Sequence, residues 1–361
     1  MFSLKILASP LLRHFSDLHP FHKWNKQLVE SGINVELVFD HKKINLDKTD
    51  CLIVNHMYFH HRWNNKALDA SANEEEWIEY LIEVKKKVGK VIWWCAQDTA
   101  CSTGFGVIPY VDVFLKNQVL KNTDYYVGEK DQERNLRVWL DQNIEQKRFK
   151  VCSIEHVHKI QVGWNLGFMD YRYFPFKLHS LLSNYTPYKL LPLKFTDVDS
   201  AREIDLTFRG KMNYDNQFPQ QNAISYQRNV VFKMLGELPY KIAHGAVVKK
   251  KQYWDEFRNS KICISPFGYG EVCYRDFEAF IAGALLLKPS MEHLTTHGDL
   301  FVPNETYVPL EWNLADLRGQ IDDVLLNFKE YKHIAKNGQD LYRKTINDPS
   351  IFVDAVKRIV K

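Results

Sequence analysis

SPFGYGEVCYRDFEAFIAGALLLKP, residues 265–289, decides how the rest of the chain is read. It follows an apolar run, Ile262, Cys263 and Ile264, and opens with a loop holding Gly268 and Gly270. The loop runs through Glu271, Arg275 and Glu278 into a short helix that stops at Gly283, and residues 284–287 read as a second buried strand. Backbone N–H groups at the start of such a helix lack partners within it and can hold an anion. Carboxylates and an arginine on the same loop suit a ligand with both hydroxyls and phosphates, as a nucleotide-sugar has.

Outward from this unit, short apolar runs alternate with helical patterns. Toward the N-terminus, residues 6–8, 35–39, 51–54, 91–95, 111–115 and 160–162 read as strands. The clearest helix is 74–88, where Trp77, Tyr80, Leu81 and Val84 fall on one face. Residues 122–150 are charged and read as mostly helical. In the second half, strands are expected at 204–208, 240–243, 262–265, 285–287 and 306–308. Helices are expected at 226–236, 252–259, 314–328, 331–345 and 351–360. Strands alternating with helices predict a mainly parallel sheet covered on both sides. The fold class is therefore α/β, in two halves: residues 1–170, a linker over 171–203 that holds Pro175, Pro187 and Pro192, then 204–345. Residues 346–361 form a closing helix that can pack back on the first half. Ligands of open α/β sheets sit at the carboxyl ends of the strands, which places a site in the cleft between halves.

Composition narrows the function. The net charge of +4 is too small for a nucleic-acid footprint, and the lysine clusters at 85–87 and 249–251 read as solvated faces. Six cysteines without paired spacing read as free thiols in a reducing compartment. The N-terminal MFSLKILASPLL reads as a first buried strand rather than a signal peptide, and no window reaches membrane-spanning length. A cytoplasmic protein is expected. The chain has no GxxxxGK[ST], no GxGxxG after its first strand and no GxSxG, which disfavours P-loop NTPases, nicotinamide enzymes and α/β-hydrolases.

Each candidate residue has a functional and a structural reading. Glu278 can accept both hydroxyls of a ribose diol, or merely complement the helix dipole. Arg275, three residues earlier, can clamp a diphosphate or pair with Glu278. Glu271 sits where it can meet sugar hydroxyls, and Gly268 and Gly270 let backbone approach a ligand. Arg209 and Lys211, at the end of the strand from residue 204, can neutralise a diphosphate or be surface bases; Arg228 is a further cation. In the first half, Asp98 and His56 are alternative general bases for an acceptor hydroxyl. His56, His60 and His61 lack a nearby carboxylate, so no metal site is expected.

The segment 260–289 resembles the donor site of the GT-B glycosyltransferases, in their retaining and exostosin-like branches. The resemblance is looser from 204 to the C-terminus, and over 1–165 it is architectural only. It implies two facing Rossmann-like domains with an interdomain cleft, and a metal-independent enzyme that moves a sugar from a nucleotide diphosphate to an acceptor hydroxyl. Glu278 would bind ribose, Arg209, Lys211 and Arg275 the diphosphate, and Glu271 the donor sugar. No cofactor beyond the nucleotide-sugar is implied. The expected partner is a glycan or lipid-linked acceptor in surface-glycan assembly, not nucleic acid, with peripheral membrane association left open. Glu271 and Glu278 enclose six residues where the retaining pattern encloses seven, so stereochemistry stays open. A non-catalytic nucleotide- or sugar-binding protein and a sugar-nucleotide epimerase remain as alternatives.

Overall fold

Continuous apolar runs become the strands of two all-parallel sheets, as expected where both faces of a sheet are covered. The computed structural model describes residues 1–9, 15–62, 74–129, 132–141, 143, 144, 147–165, 167, 193–210 and 219–361. The strands of the first sheet are β1 (Phe2–Leu7), β2 (Ile33–Val38), β3 (Cys51–Asn55), β4 (Lys90–Cys95), β5 (Val113–Lys116) and β9 (Ile160–Val162), in the order β2-β1-β3-β4-β5-β9. Those of the second are β10 (Ile204–Arg209), β11 (Ile242–Gly245), β12 (Ser260–Ile264), β13 (Leu285–Pro289) and β15 (Val308–Leu310), in the order β11-β10-β12-β13-β15. Both orders reverse direction near the first strand, which opens a crevice at the carboxyl ends of the strands. The expected α/β class with two Rossmann-like domains is thus observed.

Helices cover the sheets: α1 (Phe15–Lys23), α2 (Asn25–Glu30), α3 (His56–Arg62) and α4 (Glu74–Lys85) on the first, and α5 (Pro219–Leu235), α6 (Lys250–Arg258), α7 (Tyr274–Ala282), α8 (Leu317–Leu326) and α9 (Phe328–Asn347) on the second. In α9 the buried residues Ile334, Ala335, Gly338, Gln339, Tyr342, Thr345 and Ile346 repeat at helical spacing and form one stripe. The last helix, α10 (Pro349–Val360), starts at a cap in which the Asp348 side chain accepts from Ser350 N–H at 2.9 Å. It returns to the first domain, where Phe352 lies 5.1 Å from Phe21, 5.2 Å from Trp24 and 5.2 Å from Trp164.

The second domain has its own core around Leu206, Phe208, Ile262, Ile264 and Leu285. The larger core begins in the first sheet and crosses the interface through Trp139, Phe267, Phe277 and Tyr342. A short antiparallel ladder joins the domains: β6 (Gln118–Leu120) pairs with β14 (Leu294–Thr296), Val119 opposite Thr295. Residues 193–203 lie on the second domain, where Arg202 donates to the carbonyls of Arg258, Ser260 and Ala282 at 2.8–2.9 Å.

One expectation fails. No described residue of 122–150 is α-helical; this span holds a 3₁₀ turn (Thr123–Tyr126) and the two-residue strands β7 (Glu133–Arg134) and β8 (Phe149–Lys150), which pair with each other. Asn122, Asn135 and Asp141 each accept a backbone N–H from two residues on, at 2.8–3.1 Å. Such local turns compete directly with helix formation. All six cysteines are free, and no described helix is long and apolar enough to cross a membrane.

Candidate active site

The loop after β12 is held from beneath by a buried ion pair. Lys288 of β13 lies 2.9 Å from Asp276, and both side chains are fully buried. Asp276 also accepts from the Ser265 hydroxyl at 2.5 Å and from Cys273 N–H at 2.9 Å, closing the first turn of α7. Lys288 Nζ donates in addition to the Glu271 carbonyl at 2.6 Å. From the side, Gln227 of α5 accepts from Phe267 N–H at 2.8 Å while its amide donates to the Trp312 carbonyl at 2.7 Å. The loop is therefore rigid before any ligand arrives. Lys288→Met should lower stability by about 3–5 kcal/mol in urea denaturation, because it leaves the Asp276 carboxylate buried without its cation.

Above the loop lies a cleft of about 330 Å³ between the domains. Close approach requires one of the loop glycines: a side chain at Gly270 would collide with the Asp98 backbone carbonyl, whereas one at Gly268 would meet only the movable end of the Arg228 side chain. On α7, Arg275 is buried and stacks over Phe208 at 5.0 Å. Its Nη1 has no hydrogen-bond partner among the described residues. A buried guanidinium with an unused N–H group is costly unless an anion completes it. One turn on, Glu278 is half-buried, lines the cleft and accepts from the Tyr253 hydroxyl. Arg228 and Arg209 line the same wall.

The opposite wall comes from the first domain: Asp17 of α1, Ala96 and Asp98 after β4, Asn117 and Asn165. Asp98 is accessible to solvent yet recessed, and burial followed by the Glu271 charge raises its carboxyl above the ordinary range. Asp17 is pushed up to about 7, by burial first and by Asp98 second. Two carboxylates in one recess resist joint ionisation. The folded state holds the Asp17 proton to higher pH than the unfolded chain, so stability falls as pH rises from 3.8 toward 7. Asp17→Asn should therefore stabilise the protein more at pH 8 than at pH 5, by on the order of 1–3 kcal/mol in urea titrations.

The structure thus brings together Asp98, Arg209, Arg228, Gly270, Arg275 and Glu278 along one cleft, with Gly268 beside Arg228. Three expectations need correction. Glu271 does not face a donor sugar: it is fully buried, and accepts from the Thr99 hydroxyl at 2.8 Å, Ala100 N–H at 3.0 Å and the Trp139 indole at 3.2 Å. His56 is not poised as a base; it is buried, and its Nδ1 accepts from Ala96 N–H at 3.1 Å, which ties α3 to the end of β4. Arg209 lines the cleft, but its Nε and Nη2 are spent on Glu256 at 2.8 Å each and its Nη1 on the His244 carbonyl. Lys211 lies outside the described residues. Asp197 and Asp199 form a turn in which Asp199 N–H donates to the Asp197 carboxylate at 2.9 Å and the Asp199 carboxylate pairs with Lys332 at 2.9 Å.

Sequence reading missed Asp17 and Tyr253. Asp17 stands in the first turn of α1, the helix that follows β1 at the carboxyl end of that strand, and that placement was the available signal. Tyr253 had none, since its role depends on Glu278, 25 residues away.

Residues 199–348 match a family model described as glycosyl transferase-like. No curated protein sequence matches the chain. Among solved structures, the chain is similar to an alpha-glucosyltransferase in complex with UDP-glucose and DNA containing an abasic site (11% identity, 99% of each chain covered, TM-score 0.49). It is also similar to the T4 phage enzyme BGT in complex with its UDP-glucose substrate (11%, 100% of each chain, 0.44). A third is a glycosyltransferase from Rickettsia africae ESF-5 (12%, 100% of this chain and 98% of that one, 0.43). The second domain thus matches a glycosyl transferase-like model, and its five-stranded parallel sheet faces the six-stranded sheet of the first domain across the cleft.

Proposed function

We propose that the protein is a glycosyltransferase that moves a sugar from a nucleotide-diphosphate donor to an acceptor hydroxyl. The observation that carries this is the pairing, on one helix, of a buried arginine with an unused N–H group and a half-buried carboxylate, both lining the cleft. Arg275 and Arg228 would hold the diphosphate, and Glu278, oriented by Tyr253, the ribose diol. Asp98 would take the proton of the acceptor O–H as its oxygen attacks the anomeric carbon. The bond from that carbon to the diphosphate oxygen breaks, and the diphosphate leaves with its charge held by the arginines. With side-chain cations in that role the reaction needs no resident metal ion. A neutral hydroxyl of a glycan or lipid-linked sugar is the acceptor we propose, in assembly of a surface glycan.

A thermal-shift screen against UDP, GDP, ADP, CMP and dTDP, and their sugars, tests the binding half of this reading, since a ligand of the native state raises its melting temperature. One nucleotide class should shift Tm, and its sugar should be slowly hydrolysed to free nucleotide. Binding without any release, with or without acceptor, would instead make the protein a non-catalytic binder; conversion of the donor to an isomer would make it an epimerase.

A further inference from the structure

Glu271 is buried, charged and outside the cleft, and the hydrogen-bond donors to its carboxylate among the described residues, Thr99, Ala100, Cys101 and Trp139, all belong to the other domain. It leaves the donor loop one residue after Gly270, whose backbone rests against the Asp98 carbonyl. Its two oxygens then take the hydroxyl of Thr99 and the N–H of Ala100, the two residues that follow Asp98. The Trp139 indole supplies a third donor at 3.2 Å, and Cys101 Sγ lies 3.7 Å away. On the other flank of Asp98, Gln118 donates to its carbonyl from within the ladder that joins the domains. Behind the loop, Lys288 fixes the Glu271 carbonyl.

We propose that Glu271 is a positioning residue: by gripping the loop that carries Asp98, it sets that carboxylate against the donor held on Arg275 and Glu278. This deepens the proposed function and rests on it. A loop carboxylate with three donors is a better clamp than one hydrogen bond, because each donor constrains a different direction and the bonds to an ionised acceptor are the strong ones. The requirement is stringent, since a misplacement of about 1 Å at a reacting group can cost roughly 10²-fold in rate.

The charge of Glu271 gives the clamp a second, separable effect. Burial pushes its carboxyl up, but the Thr99 hydroxyl, the Ala100 N–H and His293 together bring it below the ordinary value, so it stays ionised. That charge reaches Asp98, which also faces Asp17 from α1 and shares the cleft with Arg209, Arg228, Arg275 and Glu278. Glu271→Gln keeps the size of the side chain and removes the charge. It is expected to lower kcat about 10- to 100-fold, leave the Kd for nucleoside diphosphate within about threefold, and move the acid limb of kcat/KM to lower pH. Trp139→Phe, which removes one donor and leaves the charge, should lower kcat more modestly without moving that limb.

Hydrogen exchange read at residues 98–101 completes the test and does not depend on any reaction. In Glu271→Gln the Ala100 amide should lose at least about tenfold of its protection, as expected when a local opening becomes easier, while the strands of both sheets keep theirs. Unchanged protection at Ala100 would overturn the inference, as would unchanged kcat and pH profile. A fall in kcat matched by an equal fall in nucleotide affinity would also overturn it, since the donor loop would then simply have collapsed. If wild-type protein transfers no sugar, the proposed function fails, and the exchange result still decides whether Glu271 holds the Asp98 loop.

Discussion

Asp98→Asn is expected to lower kcat about 10²- to 10⁴-fold, the usual worth of a positioned general base, while nucleotide affinity stays within about threefold of wild type. The substitution is nearly isosteric, and it removes a negative charge from beside Asp17 and Glu271. It therefore relieves repulsion rather than adding strain, and a lost rate cannot be ascribed to unfolding. The pH profile gives the same result independently. Asp98 titrates above the ordinary carboxylate range, and a base works only when deprotonated, so kcat/KM should rise with pH along a limb displaced above that range. Asn at position 98 should abolish the limb. Steady-state kinetics within tenfold of wild type would remove Asp98 from the chemistry.

Arg275→Met should cost about 2–4 kcal/mol in binding of a nucleoside diphosphate, or roughly 30- to 700-fold in Kd. Methionine keeps an apolar stem over Phe208 but cannot complete an anion. The guanidinium is already buried and stacked, so the free protein has met the desolvation cost that a surface arginine would meet on binding. The neighbouring Arg209 should matter less, because Glu256 already balances it. Calorimetric titration of Arg209→Lys and Arg275→Met against the same nucleotide separates the two.

Where function was legible in the sequence, the physics was local. Strands β3, β12 and β13 are buried along almost their whole length and therefore read as unbroken apolar runs. Helix α7 announced its end by Gly283, which adopts φ 62° and would press a side chain against the Thr196 carbonyl. The direction of Arg275 and Glu278 into a common cleft followed from their spacing on that helix. Glu271 was misread because nothing within its own loop says where its carboxylate points; Thr99, Ala100 and Trp139, 172, 171 and 132 residues away, decide that. Arg209 was misread for the same reason, its partner Glu256 being 47 residues distant. The ladder of β6 and β14 was invisible, since three-residue strands that pair across domains carry no periodic signal. Residues 122–150 carry charge enough for a helix, but Asn122, Asn135 and Asp141 turn the chain by capturing backbone N–H groups two residues on.

Every role assigned in the cleft depends on one convergence: Arg275 and Glu278 hold the same nucleotide. Titration calorimetry with the nucleoside diphosphate that gives the largest thermal shift tests this most directly, comparing wild type, Arg275→Met, Glu278→Ala and the double variant. The expected result is one site per chain in the wild type, weaker binding in each single variant, and a double variant whose loss departs from the sum because both side chains grip one ligand. Wild-type affinity in Glu278→Ala would contradict it.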